Sequence, residues 1–175
     1  MSYKVIKNFL DVDFLDKIND LILDIDFPWR RKGYQFNEDA TDSLYFNHCF
    51  FNNMNATSSA YETIIIPILD KLNCISPIQV RTNMFISKLF EKSGWHNDYD
   101  ETCKTAIFYL NECDGGTEIK IDGEIKFIKA EKNKMLIFDS NVLHRAITST
   151  DVPVRYIINF NYFEKGYNEK EKEKN

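Results

Sequence analysis

Cysteine is scarce in this sequence, and what there is does not cluster. Cys49, Cys74, Cys103 and Cys113 form no C-x-x-C pair, so their spacing argues for no metal, and free thiols suit a reducing compartment. Long apolar runs are missing too: the stretch "TIIIPILDKL" is interrupted by Pro67 and Asp70, far short of the roughly 20 residues that span a bilayer. The first residues, "MSYKVIKNFL", lack the apolar centre and small-residue cleavage site of a signal peptide, so a cytoplasmic protein without a membrane partner is expected. Surplus positive charge is also lacking. With a net charge of −5 and Lys and Arg scattered along the chain, no nucleic-acid scaffold is expected, although an enzyme that modifies nucleic acid stays compatible.

What the chain does have is apolar and aromatic side chains. Hydrophobic residues make up 43%, with 14 Phe and 9 Tyr, enough to bury an interior and to exclude a disordered segment. A length of 175 residues points to one domain. We expect it to cover 1–163, with a helical part over 1–75, a strand-rich core over 77–163, and a charged, disordered tail over 164–175.

In the first part, "YKVIKNFL" reads as a short strand. Phe14, Leu15, Ile18, Leu21, Ile22 and Ile25 then recur at helical spacing behind Asp11 or Asp13 as N-cap. "PWRRKGYQFNEDATD" is polar and loop-like, and residues 28–42 are candidates for a lid, whereas "SLYFNHCFF" is strand-like. A second helix is expected near 58–72 despite Pro67. From Pro77 onward the period changes to two, through "IQVRTNMFISKLF", "CKTAIFYLN", "TEIKIDGEIKFIKA", "KMLIFDS", "VLHRAI" and "VRYIINFNYF", with turn signals between them. So many short strands predict a mainly β (α+β) fold of the sandwich or jelly-roll kind.

Only three histidines are present. His96 and Asp98 stand in "GWHNDYDE", and residues at i and i+2 of an extended segment point to one side, so both can reach one ion. If the fold brings in His144, the set becomes two imidazoles and one carboxylate, which holds non-heme Fe(II) and leaves coordination positions open. His48, in "YFNHCFF", is expected to be a packed histidine and not a substrate contact. Trp95 and Trp29 are open between lining an entrance and simple packing.

The ordered words "WHND", "TAIFYLN", "GGTEI", "FDSNVLHRA" and "VRYIINF" resemble the Fe(II)- and 2-oxoglutarate-dependent oxygenases, and most closely their prolyl-4-hydroxylase-like branch of short phage and bacterial proteins. The similarity covers about residues 77–163. It implies a double-stranded β-helix (jelly roll, cupin-like) with the N-terminal helices packed on one sheet, and Fe(II) held by His96, Asp98 and His144. It also implies 2-oxoglutarate as co-substrate with O2, and ascorbate as an optional reductant. Arg155 would hold the distal carboxylate of 2-oxoglutarate and Tyr109 would donate to it. Thr105 and Ile107 share the face of Tyr109, and Asn159 that of Arg155, which makes all three candidate cofactor-pocket residues. One family feature is missing: a Tyr about ten residues before the first metal His, for which Asn83 or Ser87 could substitute. Gly115 and Gly116 match the family's turn and suggest positive φ or close approach.

The implied function is hydroxylation of an unactivated C–H bond, with a prolyl or other peptide residue first and a free amino acid or small metabolite second. A cupin-like metal-binding or sensing domain without turnover is the alternative from another class, and Arg155 argues against it, since a bare metal site needs no carboxylate clamp.

Overall fold

The period-two segments fold as strands because each has one face to bury on either side of a single large sheet. The computed structural model describes residues 2–34, 43–87, 91–100 and 102–166. In chain order these form β1 (Tyr3–Lys7), α1 (Val12–Leu23), β2 (Arg30–Tyr34), β3 (Ser43–Asn52), β4 (Asn55–Ala56) and a π-helical turn (Tyr61–Ile65) that runs into α2 (Ile66–Lys71). Then follow β5 (Cys74–Ile86), β6 (Lys104–Tyr109), β7 (Gly116–Ile121), β8 (Glu124–Lys129), β9 (Lys134–Asp139), β10 (His144–Ile147) and β11 (Val154–Glu164).

The major sheet has the order β1-β9-β6-β11-β5-β3-β2, with β4 added to β3, and the minor sheet the order β10-β7-β8. This two-sheet arrangement is the expected jelly-roll type. β6 shows how one strand serves two cores. Ala106, Phe108 and Leu110 pack with Leu15, Ile18 and Ile22 of α1 and with Ile68 of α2, while Ile107 and Tyr109 face the space between the sheets with Phe85, Ile119 and Leu136. The helices therefore cover one face of the major sheet, and the other face meets the minor sheet.

Local signals explain several boundaries. Asp11 caps α1, its side chain accepting from the Phe14 amide at 2.9 Å. Asp122 and Gly123 both have positive φ (50° and 82°), the turn that a two-residue Asp-Gly hairpin between β7 and β8 requires. Pro67 does not stop the second helix but changes its start. Proline cannot donate to the preceding turn and its ring crowds it, and the chain just before it widens into a π turn in which the Ile66 amide donates to Tyr61 O.

The N-terminal part is less helical than its sequence suggests. Arg30–Tyr34, in the stretch expected to be a loop, is a strand paired with β3, because an edge strand tolerates charged side chains while its backbone bonds are made by the neighbour. Residues 35–42, the rest of the expected lid, lie outside the described residues. At the far end β11 continues to Glu164 opposite Cys74, so the first residue of the expected tail belongs to a strand; residues 167–175 lie outside the described residues. Gly115 and Gly116 do not use positive φ. They are needed for close approach, since a Cβ on Gly115 would sit 2.8 Å from Ile147 O and one on Gly116 would collide with Ile128 O.

Candidate metal and carboxylate site

The segment after β5 returns along the edge of the minor sheet and bridges to β10. His96 and His144 exchange both backbone bonds, at 3.0 and 2.8 Å, as a directly opposed antiparallel pair does, so their rings emerge on one face with centroids 4.4 Å apart. Each ring has Nδ1 against a carbonyl two residues upstream, Gly94 O at 3.2 Å and Val142 O at 3.0 Å. A proton on Nδ1 satisfies those carbonyls and leaves both Nε2 lone pairs facing inward. Asp98 completes the group: its Oδ1 lies 4.0 Å from His96 Nε2 and 3.9 Å from His144 Nε2, and one ligand atom from each of the three residues falls within 4.8 Å of the others.

The two oxygens of Asp98 are treated differently. Oδ2 accepts from Thr105 Oγ1 at 2.9 Å and Asn161 Nδ2 at 2.8 Å, with Asn159 Nδ2 at 3.5 Å. Oδ1 faces the imidazoles, with Arg81 Nη2 at 3.7 Å. Burial alone would raise the Asp98 carboxyl, but His144, Arg81 and the Asn161 hydrogen bond outweigh it and hold the group well below the usual carboxylate range. Burial, followed by the neighbouring His144, pushes His96 down to about 4, so this ring is neutral at neutral pH. A carboxylate and two imidazoles whose Nε2 atoms converge on one point fit a divalent transition metal.

On the same face Arg155 is completely buried, its guanidinium 4.6 Å over the Phe85 ring. None of its three nitrogens has a hydrogen-bond acceptor among the described residues. Burial lowers its pKa, yet a guanidinium stays protonated in proteins. A desolvated cation without an anion costs several kcal/mol by general estimates of about this size, and a carboxylate able to accept from two of its nitrogens is the group that offsets the cost.

Other sequence-selected residues separate by role. Tyr109, whose phenol burial pushes up to about 12, donates to Thr117 Oγ1 at 2.8 Å, and Thr117, not Tyr109, reaches the cavity wall beside Arg155. Thr105 serves Asp98 and is not on that wall, whereas Ile107 and Asn159 are. Asn83 lines the cavity with a buried, unpartnered Oδ1; Ser87 lies beyond β5, its amide donating to Pro153 O. His48 is packed between Phe27 and Phe50 with ring centroids at 4.6 and 4.9 Å. Trp95 is held by Lys120 and Arg145, each 4.3 Å from its ring, and Trp29 packs on Phe27. Neither is on the cavity wall; Trp95, next to His96 in an extended segment, points to the opposite side. Arg81 and Asn161 were not singled out from sequence; period two on β5 and β11 is the signal that would have found them.

Comparison with known proteins agrees with this geometry. Residues 84–163 match the model of the 2OG-Fe(II) oxygenase superfamily. No curated protein matches the sequence significantly. Among solved structures, a prolyl hydroxylase from Trichoplax adhaerens in complex with a hypoxia inducible factor oxygen degradation domain peptide fragment superposes with a TM-score of 0.67 at 15% identity, covering 94% of this chain and 84% of that one. A Pseudomonas putida prolyl-4-hydroxylase gives 0.66 at 14%, over 93% and 92%. An oxidoreductase of the 2OG-Fe(II) oxygenase family from Burkholderia pseudomallei gives 0.72 at 10%, over 91% and 84%. Likeness at such identities establishes a shared fold.

Proposed function

We propose, from the premise that residues 84–163 form a 2OG-Fe(II) oxygenase domain, that this protein hydroxylates an unactivated C–H bond, with a prolyl or other peptide residue as its substrate. His96, Asp98 and His144 are the residues we assign to Fe(II), and Arg155 is the one we assign to the distal carboxylate of 2-oxoglutarate. The observation that carries the assignment is Arg155: a fully buried guanidinium with no internal acceptor, on the same cavity wall as His96 and His144. A metal-sensing domain would have no use for it.

When bound, Fe(II) with 2-oxoglutarate supplies the oxidation, in which O2 is consumed, 2-oxoglutarate leaves as succinate and CO2, and the substrate C–H becomes C–OH. The chain's own residues prepare that step. Gly94 O and Val142 O engage Nδ1 of each ring so that Nε2 is the nitrogen turned inward, and Thr105 and Asn161 occupy Asp98 Oδ2 so that Oδ1 is the oxygen presented. Tyr109 orients the Thr117 hydroxyl, which extends the Arg155 cradle. Phe85, Ile107 and Ile157 make the walls apolar, which strengthens each charge interaction inside.

Anaerobic addition of 2-oxoglutarate to the Fe(II)-loaded protein tests this. A weak visible metal-to-ligand charge-transfer band is expected, and succinate on admitting air in the presence of substrate. Absence of both would overturn the assignment. The likeness to prolyl hydroxylases, one of them bound to a peptide, supports a peptide residue as the first class to screen, ahead of free amino acids and small metabolites.

A further inference from the structure

The inner face of the major sheet is wider than the minor sheet opposite it. Eight strands face three, and β3 and β2 extend that face beyond the triad. Register carries the inner face outward. Asn47 stands opposite Asn83, and Arg30 opposite Asn47; in the next row Cys49 and Asn159 stand opposite Arg81 from either side. Over these strands lies a groove of about 460 Å³, lined by Arg30, Arg31 and Lys32 of β2, with Asn47 and Gln79 along it and Arg81 at one end. Arg81 also lines the cavity that holds His96 and His144, so groove and cavity share a wall.

The described lining of the groove is cationic in a chain whose net charge is −5, with no carboxylate among the described lining residues. Arg30, Arg31 and Lys32 are exposed and form no ion pair with any described carboxylate. Strands repeat at about 4.8 Å, which puts β2 about 10 Å from β5. An extended chain covers that distance in about three residues. A free amino acid cannot reach both ends. The Asn47 side chain can donate to and accept from a peptide main chain, while Gln79 is engaged within the groove, its Nε2 donating to Asn52 Oδ1 and its Oε1 accepting from Arg81. Among the described lining residues the one aromatic ring, the His48 imidazole, is already packed between Phe27 and Phe50, so those residues offer no stacking platform of the kind single-stranded nucleic acid uses.

From this we infer that the substrate is an acidic peptide segment, its carboxylates docked on Arg30 and Lys32 about three residues from the residue presented to His96, Asp98 and His144. The inference rests on the oxygenase assignment for the modified residue, while the groove's preference for acidic peptide is independent of iron. The experiment is therefore binding, read by fluorescence anisotropy on the full chain without metal. The probes are a dye-labelled Glu/Asp-rich decapeptide with a central proline, its Lys-rich counterpart, a thymidine oligonucleotide, and pyrophosphate as competitor. The acidic peptide should bind, weaken with added salt, and lose at least tenfold in affinity in Arg30→Glu/Lys32→Glu. Lys4→Glu/Lys17→Glu, an equal change of net charge elsewhere, should leave its affinity intact. Equal loss in both variants, no binding of the acidic peptide, tighter groove-dependent binding of the oligonucleotide, or full displacement by equimolar pyrophosphate would each overturn it. Loss of the charge-transfer band in the wild-type protein would instead strike the oxygenase assignment and leave the peptide result standing.

Discussion

Arg155 is buried without an acceptor among the described residues, and the proposed role for it gives two opposite expectations for one substitution. Arg155→Leu should stabilise the ligand-free protein, by about 1–3 kcal/mol on general grounds for replacing an unpaired buried charge, while raising the 2-oxoglutarate concentration needed for half-maximal signal by at least about 100-fold, the size of two charge-assisted hydrogen bonds. Thermal unfolding and 2-oxoglutarate titration read the two; a less stable variant with unchanged titration would contradict the cradle. Asn161→Leu removes a donor from Asp98 Oδ2 and frees the carboxylate to rotate. Iron affinity should fall about 10–100-fold, as for other outer partners of metal ligands, measured against a chelator with the fold checked by circular dichroism. Unchanged iron affinity would show that Thr105 alone suffices. That His96, Asp98, His144 and Arg155 come together was legible because the ordered sequence words and the resemblance they carry name those positions as a set. Asn161 and Arg81 lie outside those words and meet Asp98 only through the register of β11 and β5 against the 95–98 segment.

Elements were legible where a strand's alternation had two cores to satisfy, as in β6, and where a turn needed a particular residue, as at Asp122-Gly123. β2 was not. "RRKGY" has no apolar alternation, and it is a strand because β3 supplies its backbone partners. The π turn before Pro67 was hidden for a similar reason, as periodicity gives a helix's face but not its hydrogen-bond pattern. Gly116 offers a test at this scale, because its neighbour is backbone and cannot move aside. Gly116→Ala should separate β7 from β8 and lower stability by about 2–4 kcal/mol, within the range for overpacking and lost pairing. Denaturant unfolding would show it, and a wild-type midpoint would mean that the two strands can part without cost.

For the whole molecule, the triad makes stability depend on acid. His96 has a folded value of about 4 against an ordinary 6.5, so between these pH values the unfolded chain takes up a proton that the folded one does not. That contribution is fully present above pH 6.5 and is lost as pH falls toward 4, on the order of 3 kcal/mol; Asp98, depressed in its turn, extends the loss to lower pH. The Tm of the metal-free protein should fall across this window, and His96→Gln should flatten the fall. A wild-type Tm that is level from pH 7 to 4 would contradict a neutral, buried His96. The position of β11 bears on how the protein is made. β11 lies between β6 and β5 and is read last of the three from the message. Until residues 154–164 emerge from the ribosome, β5 and β6 each keep an open edge, and Asp98 lacks its Asn161 donor. The sheet and the surroundings of the His96–Asp98–His144 group are therefore completed in a single late event, and a nascent chain stalled before residue 154 would be a natural client for chaperones that cover unpaired strands.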